Sequence, residues 1–233
     1  MRRTIAALAM ALGLAGCVAA PPPGPVRPVG PVPDRVTAAT AQANFRAAVA
    51  RVEPVAEDVC RRRGTIANCD FLIRIDPNRN APPNAFQSVD RAGRPVLTFT
   101  QALIADTRNA DEIAFVIGHE AAHHIEGHIA RQQRSAATGA VLGVLVGTIA
   151  GGDRGVVDGL GRAGATVGAR RFSRDHELEA DALGTVITQA AGYDPVRGAA
   201  YFARIPDPGD RFLGTHPPNA ERIATVRRVA AGG

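Results

Sequence analysis

Gly118-His119-Glu120-Ala121-Ala122-His123 sets two imidazoles four residues apart, with a carboxylate directly after the first. On a helix, at about 100° per residue, these three side chains fall within one arc of roughly 100°, and the two rings sit one turn apart. A zinc ion suits such a pair, because both rings can reach it at about 2.0–2.1 Å. Glu120, offset on the same side, then stands where it can take a proton from a water activated by the ion.

The neighbours sharpen this reading. Ile113, Ala114, Phe115, Val116, Ile117, Ala121 and Ala122 surround the same segment on nearly every side, which makes the helix buried rather than amphipathic. Three polar groups buried together are costly unless each finds a partner, and a shared cation supplies one. His124 and His128 form a second i, i+4 pair. Ile125 follows His124, so that pair brings no base and reads as second-layer or packing residues.

A catalytic zinc takes three protein ligands and keeps one position open. A metzincin would need a glycine and a histidine where Glu126 and Ile129 stand, so that class is excluded. The third ligand must come from elsewhere, and Ser173-Arg-Asp-His-Glu-Leu-Glu-Ala-Asp181 offers Glu177, with Asp175, His176 and Glu179 as competitors. Glu177, Ala180, Asp181 and Gly184 share one helical stripe. The small residues at 180 and 184 would let a second helix approach while Glu177 reaches the ion, and Asp181 could accept the free ring N–H of a ligand histidine. Glu179 lies about 160° away and reads as a surface or salt-bridge residue.

The elements that must position these groups are legible in outline. Val36 to Arg63 has apolar residues at helical spacing, with an interruption expected near Pro54. Phe71 to Ile75 is strand-like, and Asn84–Val89 and Pro95–Thr100 flank a hairpin turning at Gly93. Asn109 caps the HExxH helix, with Glu112 at its third position, and the pattern runs at least to Arg134. Seventeen residues without a charge follow, from Ala136 to Gly152, and glycine stays frequent to Gly168. That stretch could touch a membrane, though its length and glycine content are marginal for spanning one, and it reads rather as a mobile, partly helical lid or hairpin over the active site. Ser173 is the expected cap of the next helix, which Gly192 ends. Shorter helices begin near Pro195 and at Pro217-Pro218, the last running toward Val229. The fold class expected is α+β and predominantly helical, with a small sheet before the HExxH helix.

Residues 1–16 carry Arg2 and Arg3, an apolar run from Ile5 to Leu14 and small residues, the make-up of an export signal. Leu14-Ala15-Gly16-Cys17 resembles a lipobox, so Cys17 is the expected lipidated residue, and Val18 after it favours the periplasmic face of the outer membrane. Residues 17–35, rich in proline and glycine, form a tether, and residues 36–233 the folded domain. In an oxidising compartment Cys60 and Cys69 are expected to pair, which would stabilise the fold by about 2–3 kcal/mol. Removing Arg2 and Arg3 lowers the 27 basic residues to 25 against 22 acidic, an unremarkable balance. That charge and an aromatic content of 4% give no platform for nucleic acid.

Three ordered motifs carry a family resemblance: Gly118-His119-Glu120-Ala-Ala-His123 with His128, Glu177-Leu-Glu179-Ala180-Asp181 with Gly184, and Thr215-His216-Pro217-Pro218 with Glu221-Arg222-Ile223. Together they resemble the M48 zinc metallopeptidases, the group that includes HtpX-like, Oma-like and CAAX prenyl proteases. The resemblance implies a zincin-like fold, one zinc ion per chain and Glu177 as the third ligand beside His119 and His123. It also implies His216 and Arg222 near the reacting oxyanion. Asn84-Ala85-Phe86 resembles the family's strand before the zinc helix, although Asp90-Arg91-Ala92-Gly93 stands where the family has a Gly-Gly turn. By the same resemblance a substrate segment adds to that strand's edge.

The function expected is a zinc-dependent endopeptidase acting on misfolded or unassembled envelope proteins. The alternatives are a zinc-stabilised chaperone or assembly factor with a latent site, sealed by the glycine-rich segment or by His216, and a structural lipoprotein without metal.

Overall fold

The computed structural model describes residues 35–206 and 217–233. Helix α1 (Ala38–Arg63) opens on Thr37, whose hydroxyl accepts from the Thr40 amide, and closes on left-handed Gly64. It is not interrupted at Pro54, contrary to expectation. Pro54 and Ala50 both face solvent, so the carbonyl that loses its helical partner stays hydrated, while Val52 and Ala56 bury the opposite face.

The sheet has three strands, β1 (Leu72–Ile75), β2 (Ala85–Val89) and β3 (Pro95–Phe99), in the order β1-β3-β2. Central β3 is buried along its whole length, which explains why it is apolar but for Thr98. It pairs parallel with β1, Leu72 opposite Val96, and antiparallel with β2, Ala85 opposite Phe99. The β2–β3 hairpin forms without a Gly-Gly turn: the Asp90 carboxylate accepts from the amides of Ala92 at 2.8 Å and Arg94 at 2.9 Å, and Gly93 takes a positive φ of 81°. Cys60 at the end of α1 and Cys69 before β1 are joined by a disulfide with a Cα–Cα distance of 5.7 Å.

A short helix α2 (Gln101–Asp106), capped by Thr100, follows the sheet. Helix α3 (Ala110–Ile125) begins as the sequence indicates: Asn109 Oδ1 accepts from the Glu112 amide at 3.0 Å and Glu112 accepts from the Arg108 amide at 2.7 Å. Packed between α1 and the carboxyl-terminal half of α5, α3 is the axis of the core, with Ile113, Phe115 and Ile117 fully buried. It stops short of Arg134. Gly127, at φ 66°, turns the chain, and a separate helix α4 (His128–Ile149) leaves in a new direction.

Helix α5 (Arg154–Ala190) is capped by Asp153 and runs unbroken through Ser173, so the cap expected there is not used. α4 and the first half of α5 form a helical hairpin, yet no residue from 136 to 168 lines the active-site cleft described below. The lid position is therefore not occupied by this segment. Glycines at 139, 143, 164 and 168 let the two helices pack on each other instead, which also explains why so glycine-rich a stretch stays helical. Helix α6 (Pro195–Ala199), a 3-10 turn (Ala200–Ala203) and α7 (Asn219–Ala230) complete the described chain.

Candidate metal centre

His119 and His123 project from the last two turns of α3, and Glu177 reaches them from α5. The two helices meet at glycines. A Cβ on Gly118 would lie 2.9 Å from Thr188 Oγ1 and 3.0 Å from the Gly184 carbonyl oxygen; one on Gly184 would lie 3.0 Å from the His119 Cα. With Ala180 fully buried beside them, this close crossing brings a short glutamate side chain within reach of the rings.

His119 Nε2 and His123 Nε2 are 3.0 Å apart, and the two oxygens of Glu177 lie 3.5 Å from one ring nitrogen each. The edge of a tetrahedron with bonds of about 2.1 Å is about 3.4 Å, so the donors stand at the spacing a shared zinc ion requires. Two imidazoles and a carboxylate are also a donor set suited to that ion. Among the described residues this is the group of His, Cys, Asp and Glu side chains that could hold a metal.

Each ligand is held from behind. Asp181, completely buried, has Oδ1 3.0 Å from His119 Nδ1. The same carboxylate accepts from Arg222, Nε to Oδ2 at 2.8 Å and Nη2 to Oδ1 at 2.7 Å. Arg222 lies over the Phe202 ring, 3.8 Å from its centre, and reaches Glu177 at 3.3 Å. Glu221, its sequence neighbour, pairs with Arg174 and takes no part. On the other ligand, His123 Nδ1 is 2.8 Å from His128 Nδ1, and His128 Nε2 is 3.1 Å from Glu179. Glu179, away from the three donors as its helical angle requires, is clamped by Arg131.

Burial and charge tune these groups. Burial alone would lower the His119 imidazole, but Asp181 and Glu177 hold its proton and lift it to about 9. His123 moves the other way, pushed down by burial and by the charge on His119. The Glu120 carboxyl rises to about 7, mainly through burial and further through Glu177, while the Gln87 backbone amide pulls it down. His124 stands apart, bonded to the Asn68 carbonyl at 2.8 Å and edge-on to Phe71, so it braces the disulfide loop against α3.

The centre opens into a cavity of about 650 Å³ bounded by β2, α3 and the carboxyl-terminal elements, with Glu120 and Arg222 in its wall. Thr100 N donates to Asn84 O and Asp90 N to Arg94 O, so the even-numbered residues of β2 bond to β3. The peptide groups of Ala85 and Gln87 therefore point away from the sheet, at the cleft. That the Gln87 amide meets Glu120 was not foreseen, and only the strand register reveals it. Asp175 is exposed and His176 stacks on His128 with ring centres 4.3 Å apart, so neither competes with Glu177. His216 and Cys17 lie outside the described residues.

A buried helix bearing HExxH, a carboxylate from a crossing helix and a small sheet whose edge borders the same cleft define a zincin-like metallopeptidase domain. The chain belongs to peptidase family M48, whose model matches residues 51–230. It is 33% identical over 143 residues to a beta-barrel assembly-enhancing protease of Yersinia pestis and 31% identical over 142 residues to one of Escherichia coli strain K12; each match covers 55% of this chain and 29% of the relative. It is 28% identical over 190 residues to the mitochondrial metalloendopeptidase OMA1 of Saccharomyces cerevisiae, covering 76% of this chain and 52% of the relative. The chain thus spans between about a third and a half of the length of these curated relatives.

Proposed function

We propose that this chain is a zinc-dependent endopeptidase of the cell envelope that cuts misfolded or unassembled proteins. The observation that carries the reading is the convergence of His119, His123 and Glu177 from two helices beside buried Glu120, in a cleft bordered by the β2 edge, where the Ala85 and Gln87 peptide groups turn away from β3. A zinc ion held by these three residues would polarise the scissile carbonyl and supply an acidified water. The substrate binds extended along β2, hydrogen-bonding to the outward peptide groups of Ala85 and to the Gln87 carbonyl, the Gln87 amide being held by Glu120. Because those contacts read backbone, unfolded segments are selected over folded ones. Glu120 takes the proton of the attacking water and returns it to the leaving amine, and its raised affinity for a proton suits both steps. Asp181 fixes the His119 ring through Nδ1, and Arg222 places positive charge in the cleft wall where negative charge develops. His216, beyond the described residues, is assigned to the same task on its motif alone.

The relatives' names, an assembly-enhancing protease and a metalloendopeptidase, support the reaction and the envelope setting, and the Cys60–Cys69 disulfide suits an oxidising compartment. Anchoring through a lipidated Cys17 at the outer membrane remains part of this proposal.

The test is degradation of a permanently unfolded envelope protein by wild type and by Glu120→Gln at equal zinc content. Wild type should cleave, a chelator should stop it, and Glu120→Gln should be slower by about 100-fold or more. Equal rates in both proteins would refute the peptidase reading.

A further inference from the structure

The α4–α5 hairpin is built inside out for a structure surrounded by water. Its internal seam is glycine: a Cβ at Gly139 would overlap the Gly164 carbonyl, one at Gly143 the Leu160 carbonyl, and one at Gly168 the Ser135 carbonyl. Its aliphatic side chains point outward instead. Val141 is 67% exposed, Val146 58% and Ile149 78%, with Leu142 and Leu145 each more than half exposed. In water a helix pair is held by burying such groups; a seam of small residues with aliphatics outside is the arrangement used where the solvent is itself apolar.

The polar groups agree. From Ala136 to Gly152 there is no charge. The hydroxyls along the hairpin turn back into their own helices, Ser135 to the Arg131 carbonyl at 2.9 Å, Thr138 to Arg134 at 3.0 Å and Thr148 to Val144 at 2.9 Å. Leu142 and Val146 of α4 share one apolar groove with Leu160 and Val167 of α5, so the two helices contribute to a common apolar face. On α5, Arg154, Asp158 and Arg162 follow each other at four-residue intervals on the side opposite Leu160 and Val167. Arg131 and Arg134 close one end of the groove, at the depth of lipid phosphates if the face is immersed. No described helix is long and apolar enough to cross a membrane.

We propose that this hairpin lies in the surface of a phospholipid bilayer, its Leu142–Val146–Leu160–Val167 face among the acyl chains and its Arg154–Asp158–Arg162 stripe in water. The contact is independent of the metal centre. It would hold the cleft close to the membrane, where envelope proteins are assembled.

The test uses the whole chain with Cys17→Ser, so that no lipid anchor contributes, and an environment-sensitive fluorophore at Ile149→Cys, Leu145→Cys or Asp158→Cys in turn. With vesicles of zwitterionic and anionic phospholipid, emission should shift to the blue and brighten several-fold at 149 and 145 and stay unchanged at 158. Leu142→Asp combined with Leu145→Asp should lower the bound fraction by at least about tenfold. No shift at 149 with vesicles, or equal shifts at 149 and 158, would overturn the proposal. A blue shift at 149 that grows with protein concentration and needs no vesicles would overturn it too, because the face would then be covered by a second copy of the chain.

Discussion

His128 Nδ1 stands 2.8 Å from His123 Nδ1, and its other ring nitrogen meets Glu179 at 3.1 Å. Burial and the neighbouring charges hold His128 down to about 4, so at neutral pH its ring is uncharged and one nitrogen must accept. With His128 Nε2–H donating to Glu179, His128 Nδ1 accepts from His123, leaving His123 Nε2 with a lone pair directed at the other ligands. His128→Ala should therefore weaken zinc binding by about 10–100-fold, read by competition with a chromophoric chelator. His128→Asn, able to accept the same bond, should recover part of the loss. Unaltered affinity in the alanine variant would show that the contact does not orient the ligand.

In the metal-free protein His119 keeps its proton up to about pH 9, held by Asp181 and Glu177. A ligand imidazole must be neutral at the coordinating nitrogen, so zinc has to displace that proton. Zinc affinity should thus fall as pH drops below about 9, and calorimetry at pH 7.5 in buffers of different ionisation enthalpy should find about one proton released per ion. Above pH 10 the release should vanish. Binding without proton release at pH 7.5 would contradict the hydrogen-bonding assigned to His119.

The close crossing of α3 and α5 leaves no room at Gly184, where a Cβ meets the His119 backbone at 3.0 Å. Gly184→Val should cost about 2–3 kcal/mol of stability, measured by urea unfolding, and lower zinc affinity because Glu177 is carried away with its helix. Gly184→Ala should fall between. A valine variant with wild-type stability and zinc content would show that the crossing yields freely.

Arg204 holds Glu112, which is 1% exposed, by two bonds of 2.7 and 2.8 Å. This pair fastens the 3-10 turn to the start of α3. Arg204→Ala should destabilise the fold by about 3 kcal/mol, since it strands a buried carboxylate, and Glu112→Gln in the same chain should restore much of that. Urea melts of the single and double variants decide it, and a single variant within about 0.5 kcal/mol of wild type would argue against the pair's importance.

These relationships differ in how far the sequence announces them. The ligand stripe, the Asn109 cap and the small residues at 180 and 184 are local patterns, and the structure places them as their periodicity requires. The break at Gly127 and the continuity of α5 through Ser173 are not local. A glycine in an apolar helical pattern gives no sign that its φ will be positive, and a glycine-rich run looks unlike a helix until a partner helix packs against its bare backbone. The parallel pairing of β1 with β3 joins strands distant in sequence, and the Gln87 amide faces Glu120 because of which residues of β2 bond to β3 across the hairpin. His128 was visible as a histidine one turn past His124. Its contact with His123 instead follows from the bend at Gly127, which starts the new helix beside the old one.

Zinc content, measured by mass spectrometry on the full chain after dialysis, tests most directly whether two rings of one helix and a carboxylate of another hold a single ion. Wild type should retain about one zinc per chain, Glu120→Gln the same amount, and Glu177→Ala much less. Stoichiometric zinc in Glu177→Ala, or none in wild type, would contradict the account.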